Sequence, residues 1–234
     1  MKLDLATDKV PKYASGESGD TFEVVERPQG GLTAILADGQ GSGVSAKLTS
    51  NMVAAKAASL IADGTRDGAV SRAAHDFLYT QKRGRVSSTL TMVSCDLNTK
   101  TFVISRNSNC PVIIKNSQGI SILDEQIRPI GFHYFVKPTI DEISIEPGTL
   151  IVCFSDGILH SGRKFGNQVQ IEDIIAILDS KSDSEVENIT QELLELALTR
   201  DNDRPQDDMA VMAVGVSGED LRHKPRKLRI SFTF

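Results

Sequence analysis

An α+β fold, with largely antiparallel sheets and helices as outer layers, is what the sequence predicts, on three observations. Short β-like runs crowd the middle of the chain and follow one another through turn clusters. Helical periodicity occurs only before and after that block. The βαβαβ alternation of a doubly wound parallel sheet is not there.

Taken in order, residues 21–27 (TFEVVER) and 32–37 (LTAILA) read as strands joined by the turn residues of 28–31. The run 38–43 (DGQGSG) is too rich in glycine for a strand. Residues 44–62 then place Val44, Leu48, Met52, Ala55, Ala58 and Ile61 at helical spacing, and Gly64 closes the helix. Residues 68–81 repeat the pattern through Val70, Ala73, Ala74, Phe77 and Leu78.

A β meander is expected over 88–97, 101–105, 111–115 and 120–123, with turns at 98–100, 107–109 and 116–119. Strands at 139–145 and 149–154 flank the turn 146–148. Helices follow over 171–178 and 185–199, the second opened by a capping-box pattern (SDSE, 182–185) and burying Val186, Ile189, Leu193, Leu194 and Ala197. Residues 209–216 are apolar on both faces, as in a strand covered on each side.

The chain has 234 residues, 40% of them apolar and 24% charged, which excludes intrinsic disorder. A net charge of −5 argues against a protein that neutralises nucleic-acid backbones. Cys95, Cys110 and Cys153 form no CxxC pair, so buried thiols in a reducing cytosol are expected. The N-terminus carries Asp4 and Asp8 and no apolar signal region, and no run approaches the ~20 apolar residues of a membrane span. A cytoplasmic protein with no membrane and no nucleic-acid partner is expected.

Aspartates recur where strands run out: Asp20 after Gly19, Asp38 before Gly39, Asp156 before Gly157, and the pair Asp207 and Asp208. Each alone is an ordinary turn or strand end. Brought together by neighbouring strands, they would repel one another unless a cation intervened. An all-oxygen set suits Mg²⁺ or Mn²⁺, and no His–Cys cluster points elsewhere.

These motifs occur in the order found in the metal-dependent PPM protein phosphatases, and the chain resembles most the bacterial stage II sporulation protein E branch. Lys82, Arg83 and Gly84 before strand 88–95, and the turn at 107–109, are similar to the stressosome feedback phosphatase of that branch. The resemblance spans roughly residues 17–216 and implies a four-layer α/β/β/α sandwich of two mainly antiparallel sheets flanked by helices.

It further implies two divalent metal ions, Mn²⁺ or Mg²⁺, and no organic cofactor. Asp38 would bridge the ions with the Gly39 carbonyl on one, and Asp20, Asp156 and Asp207 would complete the shells. Asp38 and Asp156 are the candidate catalytic residues; Asp208 is the less favoured ligand of its pair, since many relatives carry Asn there. The activity implied is hydrolysis of phosphoserine or phosphothreonine on a phosphorylated bacterial regulatory protein of the anti-sigma-antagonist or stressosome type, by a monomer or weak dimer. The aspartates run from 20 to 207, so a single domain over 1–220 is expected.

Three departures stand out. Gln40 occupies the place where eukaryotic relatives often carry a His proposed as general acid. Ala210 replaces a Thr, and no N-terminal Arg is placed to grip phosphate; Lys12 and Arg83 are the weak candidates.

A dinucleotide fingerprint competes for the glycine loop, since Gly41, Gly43 and Ala46 satisfy GxGxxA. The acidic residue that should end a second parallel strand is Asp63, which follows a helix instead. A Walker A loop fails because Lys47 follows Ala46. A catalytically idle relative that binds a partner is the other alternative, opposed by the full acidic set. His160, four residues after Asp156, reads as a packed or surface histidine. The tail carries five Lys or Arg over 222–229, read as a solvated linker, and the extension 221–234 ends in the strand-like alternation of Leu228, Ile230, Phe232 and Phe234.

Overall fold

Apolar side chains alternate along the strands and sort into three layers of core, which fix the architecture. The computed structural model describes residues 1–218, 226–228 and 230–231. Among the described residues, ten strands form two five-stranded sheets, paired antiparallel throughout. The first sheet takes β1 (Lys2–Val10), β10 (Met209–Ser217), β9 (Leu150–Phe154), β6 (Val112–Asn116) and β7 (Gly119–Leu123) in that order. The second takes β2 (Asp20–Glu26), β3 (Gly31–Gly39), β4 (Ser88–Asp96), β5 (Thr101–Asn107) and β8 (Thr139–Ser144).

Between the sheets lie Leu36, Val93, Phe102, Ile104, Ile151, Cys153, Met212 and Val214. The opposite faces of the same strands turn Ile35, Ala37, Leu90 and Met92 toward α1 (Gly43–Ala62) and α2 (Asp67–Lys82). Leu150, Val152, Phe154, Val211 and Ala213 turn toward α3 (Asp156–His160), α4 (Ile171–Ser180) and α5 (Val186–Arg200). This is the four-layer α/β/β/α sandwich. β9 and β10 are buried at every position because a sheet covers one side and helices the other, so alternate residues face opposite core layers.

Several local expectations are corrected. The middle block is not one meander: the hairpin β4–β5 belongs to the second sheet and β6–β7 to the first, after which β8 and β9 part to different sheets. β9 is buried along its whole length, whereas β8 alternates half-buried and exposed residues, as suits a sheet edge. β1 was not expected; it pairs with β10 over nine residues, its Leu3 and Leu5 packing between the sheets.

In α1 the buried face is Ala46, Ser50, Val53, Ala54, Ala57 and Ile61, while Val44 and Leu48 are exposed. Small side chains face the sheet because the helix sits almost in contact with β3. The three cysteines are free and buried, and burial pushes the Cys95 thiol up to about 11 and Cys153 to about 12. No helix among the described residues is long and apolar enough to cross a membrane. The expected terminal strand lies largely outside the described residues.

Candidate metal centre

One end of each sheet contributes to a shared cleft. In the second sheet, Asp20 at the start of β2 is the direct cross-strand neighbour of Asp38 at the end of β3. In the first, β9 runs out at Phe154 beside Val211 of β10, so Asp156 on the first turn of α3 comes next to Asp207 and Asp208 just before β10. Asp38, Gly39, Asp156, Asp207 and Asp208 line a cleft of about 360 Å³ together with Lys12, Gln40, Ser87, Ser88 and Pro129. Asp20 lies beneath Asp38, with no accessible surface.

The two Asp-Gly steps are close-approach positions. A Cβ on Gly39 would stand 2.1 Å from the Ala46 carbonyl oxygen, and one on Gly157 would stand 2.0 Å from that of Asp208. Only glycine lets α1 seat against the end of β3, and α3 against the start of β10.

Asp208 is a clamp. Its Oδ1 accepts the Lys12 N–H at 2.8 Å and its Oδ2 the Gly19 N–H at 2.9 Å, tying the β1–β2 connection to the start of β10. With both oxygens so engaged, it is poorly placed to ligate an ion. Asp207 Oδ1 accepts the Asp208 N–H at 3.0 Å. Two lysines that the sequence did not single out for this site meet below it: Lys9 and Lys47 both donate to the Asp20 backbone carbonyl, at 2.8 and 2.9 Å. Burial, and then the neighbouring Lys9, depress the Lys47 ammonium to about 8.

The electrostatics of the cleft are unfavourable as it stands. Burial first, then the charges of Asp20, Asp156, Asp207 and Asp208, push the Asp38 carboxyl up to about 9. Burial likewise pushes Asp20 to about 7, against the Ser155 hydroxyl, which lowers it, and with Asp208 and Asp156 adding to the rise. Asp207 is raised as well, by burial and then by Asp156. Both carboxylate oxygens of Asp20 are buried and no well-formed hydrogen bond reaches them among the described residues, although the Ser155 hydroxyl lies close enough to favour the carboxylate.

An orphaned buried carboxylate beside a second raised one, in an all-oxygen setting, fits hard divalent cations. Among the described residues, no three His, Cys, Asp or Glu side chains are already gathered as a closed cage. Any ions held here would therefore draw part of their coordination from water.

Other sequence candidates resolve individually. Gln40 Oε1 accepts the Ser87 N–H at 2.9 Å, so this amide braces the loop and has no acidic proton to give. Lys12 lines the cleft; Arg83 does not. His160 is half-exposed, with Nδ1 3.7 Å from Asp156 Oδ2. Asp63 is the C-cap of α1 and every strand pairing is antiparallel, which removes the frame a dinucleotide site needs.

A family model described as Stage II sporulation protein E (SpoIIE) matches residues 28–217. No curated protein matches the chain by sequence. Among solved structures, the PP2C phosphatase domain of SpoIIE from Bacillus subtilis, with a fragment of its regulatory domain, is 20% identical with a TM-score of 0.79, over 92% of this chain and 64% of that one. The chain thus spans less than two thirds of that structure's length. A serine/threonine phosphatase of S. agalactiae is 16% identical with a TM-score of 0.74, over 92% of this chain and 100% of that one. RsbX in complex with magnesium is 16% identical with a TM-score of 0.72, over 92% and 96%.

Proposed function

The chain belongs to the stage II sporulation protein E family of PPM-type phosphatases, and on that premise we propose that it removes phosphate from phosphoserine or phosphothreonine of a bacterial regulatory protein, of the anti-sigma-antagonist or stressosome type, using two divalent ions, Mg²⁺ or Mn²⁺. The observation that carries the reading is the pair Asp20 and Asp38: cross-strand neighbours, both with raised pKa, one with two orphaned oxygens. Gathered buried carboxylates with raised pKa values mark a site where binding is to offset charge, and a cation does so. The family, and the magnesium bound to the structurally similar RsbX, agree with a divalent ion.

In this reading Asp38, Asp156, Asp207, Asp20 and the Gly39 carbonyl would hold the ions. When bound, such ions supply a nucleophile from water at neutral pH and offset the charge of the phosphoryl oxygens. The chain's own part is positional. Asp208 fixes the Lys12 and Gly19 backbone, the lysine pair fixes the Asp20 carbonyl, and Ser88 Oγ donates to the Asp38 carbonyl at 2.7 Å. Lys12 is the cationic residue that lines the cleft and so is the one placed to meet a phosphate. No side chain has to act as a covalent nucleophile, which suits a cleft without a Ser–His or Cys–His pair. Residues 1–220 are read as one phosphatase domain, since the aspartates from 20 to 207 must converge to make one site.

The test is hydrolysis of p-nitrophenyl phosphate and of a phosphoserine protein with Mn²⁺, with Mg²⁺ and with EDTA. Metal-dependent turnover is expected, lost by at least about a hundredfold in Asp38→Ala and Asp156→Ala while the far-UV spectrum is kept. Near-normal turnover in either variant would overturn the assignment, and no metal-dependent turnover in the wild type would favour a partner-binding module.

A further inference from the structure

Beside the cleft the chain exposes aromatic side chains that the proposed chemistry does not use. Phe132, Tyr134 and Phe135 are 53%, 70% and 80% exposed, in the connection between β7 and β8. Tyr134 meets Phe135 edge-on at 4.5 Å between ring centroids, and meets Tyr79 of α2 at 6.0 Å.

The loop that carries them is built rather than loose. Asn107, buried at the end of β5, donates from Nδ2 to the carbonyls of both Arg128 and Lys137 at 3.1 Å, cinching the neck. Its Oδ1 accepts the Ser71 hydroxyl of α2. His75, buried in α2, accepts the Gly131 N–H on Nδ1 at 3.0 Å, and its Nε2 faces the Tyr134 carbonyl at 3.4 Å. Ile130 pairs with Ser88 through two backbone hydrogen bonds, and Ile130 and Val136 are buried in the core under the helices. Inward anchors thus alternate with outward rings, and the rings stay in water although the fold orders the backbone beneath them. Compact loops closed at the neck are frequently functional.

Position and charge say what would cover the rings. The loop is continuous with the cleft, because Pro129 lines its wall with Ser87 and Ser88. Arg83, Arg85, Arg128 and Lys137 are all exposed, and none has an ion-pair partner among the described residues. The turn at 83–85 touches the loop, for a Cβ on Gly84 would lie 3.4 Å from the Phe132 carbonyl oxygen. The whole chain carries −5 and the cleft is lined with aspartates, so most of this protein repels an acidic partner while this rim attracts one.

We propose that residues 128–137 form a docking ridge for an acidic surface of the phosphoprotein substrate, next to its phosphorylated residue. The proposal rests on the phosphatase reading and adds to it a basis for selecting protein over small phosphate esters. Aromatic rings give contact area at little entropic cost, and the basic rim orients the encounter. A lipid surface would also suit rings and cations, but the ridge borders the cleft that a phosphorylated side chain would enter.

The experiment uses the full chain with Mn²⁺, comparing phosphorylated casein, an acidic phosphoserine protein, with p-nitrophenyl phosphate. The double variants are Tyr134→Ser with Phe135→Ser, and Arg128→Glu with Lys137→Glu. Each should raise KM for casein about tenfold and leave kcat and the small-ester kinetics unchanged. The charge variant should also flatten the rise of casein KM with salt. Equal changes on both substrates, or no change in casein KM while turnover persists, would overturn the ridge. So would binding of phosphatidylglycerol vesicles lost in the variants, or a dimer that they dissociate, with casein KM unmoved. If the wild type turns over neither substrate, the phosphatase reading fails. Casein binding by anisotropy then decides the ridge separately, with about tenfold weakening in the variants supporting it and no weakening overturning it.

Discussion

Replacing Asp20 by Asn separates the electrostatic cost of the cleft from its use. The folded-state pKa is raised from the ordinary 3.8 to about 7, chiefly by burial. Below about pH 4 the group is protonated in both folded and unfolded chains and costs nothing. Between about pH 4 and pH 7 the unfolded chain has released the proton and the folded chain has not, so stability is lost as pH rises, at about 1.4 kcal/mol per pH unit. Above about pH 7 the loss is complete. The upper limit is about 4 kcal/mol, and relaxation with water entry brings it to about 2 kcal/mol.

For a chain of this size that is about 4–8 °C in melting temperature. In EDTA at pH 8, Asp20→Asn should melt that much above the wild type. At pH 4 the two should coincide, because the amide is as poorly partnered as the protonated acid. Saturating Mn²⁺ should reverse the order, since a ligand at about a hundred times its Kd adds about 2.7 kcal/mol to the chain that binds it. Thermal scans at both pH values, with and without metal, measure all of this. Equal or lower melting of the variant in EDTA at pH 8, or an undiminished Mn²⁺ shift in it, would refute the reasoning.

Two further substitutions test the scaffold. Asp208→Ala strips the acceptors from the Lys12 and Gly19 N–H groups and should cost about 2–4 kcal/mol, read as a lower urea midpoint at constant m. Gly157→Ala places a methyl 2.0 Å from the Asp208 carbonyl oxygen; it should lose about 1–3 kcal/mol and weaken Mn²⁺ binding measured by calorimetry, because α3 carries Asp156.

Strands and helices with a strict period were legible in the sequence, and so were the aspartates as strand-end residues, Asp38 and Asp156 by their Asp-Gly steps and Asp20, Asp207 and Asp208 by standing just before apolar runs. What escaped has physical causes. β1 mixes Leu3 and Leu5 with Asp4 and Asp8, and only its alternation would have revealed it. Val44 and Leu48 fall on a helical stripe, yet the approach of α1 to β3 reserves the inner face for Ala46, Ser50 and Ala54. Asn107 reads as a turn residue, but it ends β5 and its amide latches a loop more than twenty residues downstream, a contact that no local pattern encodes. Lys9 and Lys47 likewise act on a backbone carbonyl, and sequence motifs name side chains rather than carbonyls.

The same distinction bears on which ion the site would suit. The groups that hold the cleft in shape are mostly hydrogen bonds to backbone, from Asp208, Lys9, Lys47 and Ser88, and they are satisfied without metal. The carboxylates they surround are not: they raise one another's pKa and form no closed cage among the described residues. A cation that keeps much of its water shell, as Mg²⁺ does, need not redraw the strand ends that the antiparallel pairing of Asp20 and Asp38 fixes. For such an ion the free energy of binding would come from relieved charge repulsion more than from a rearranged fold.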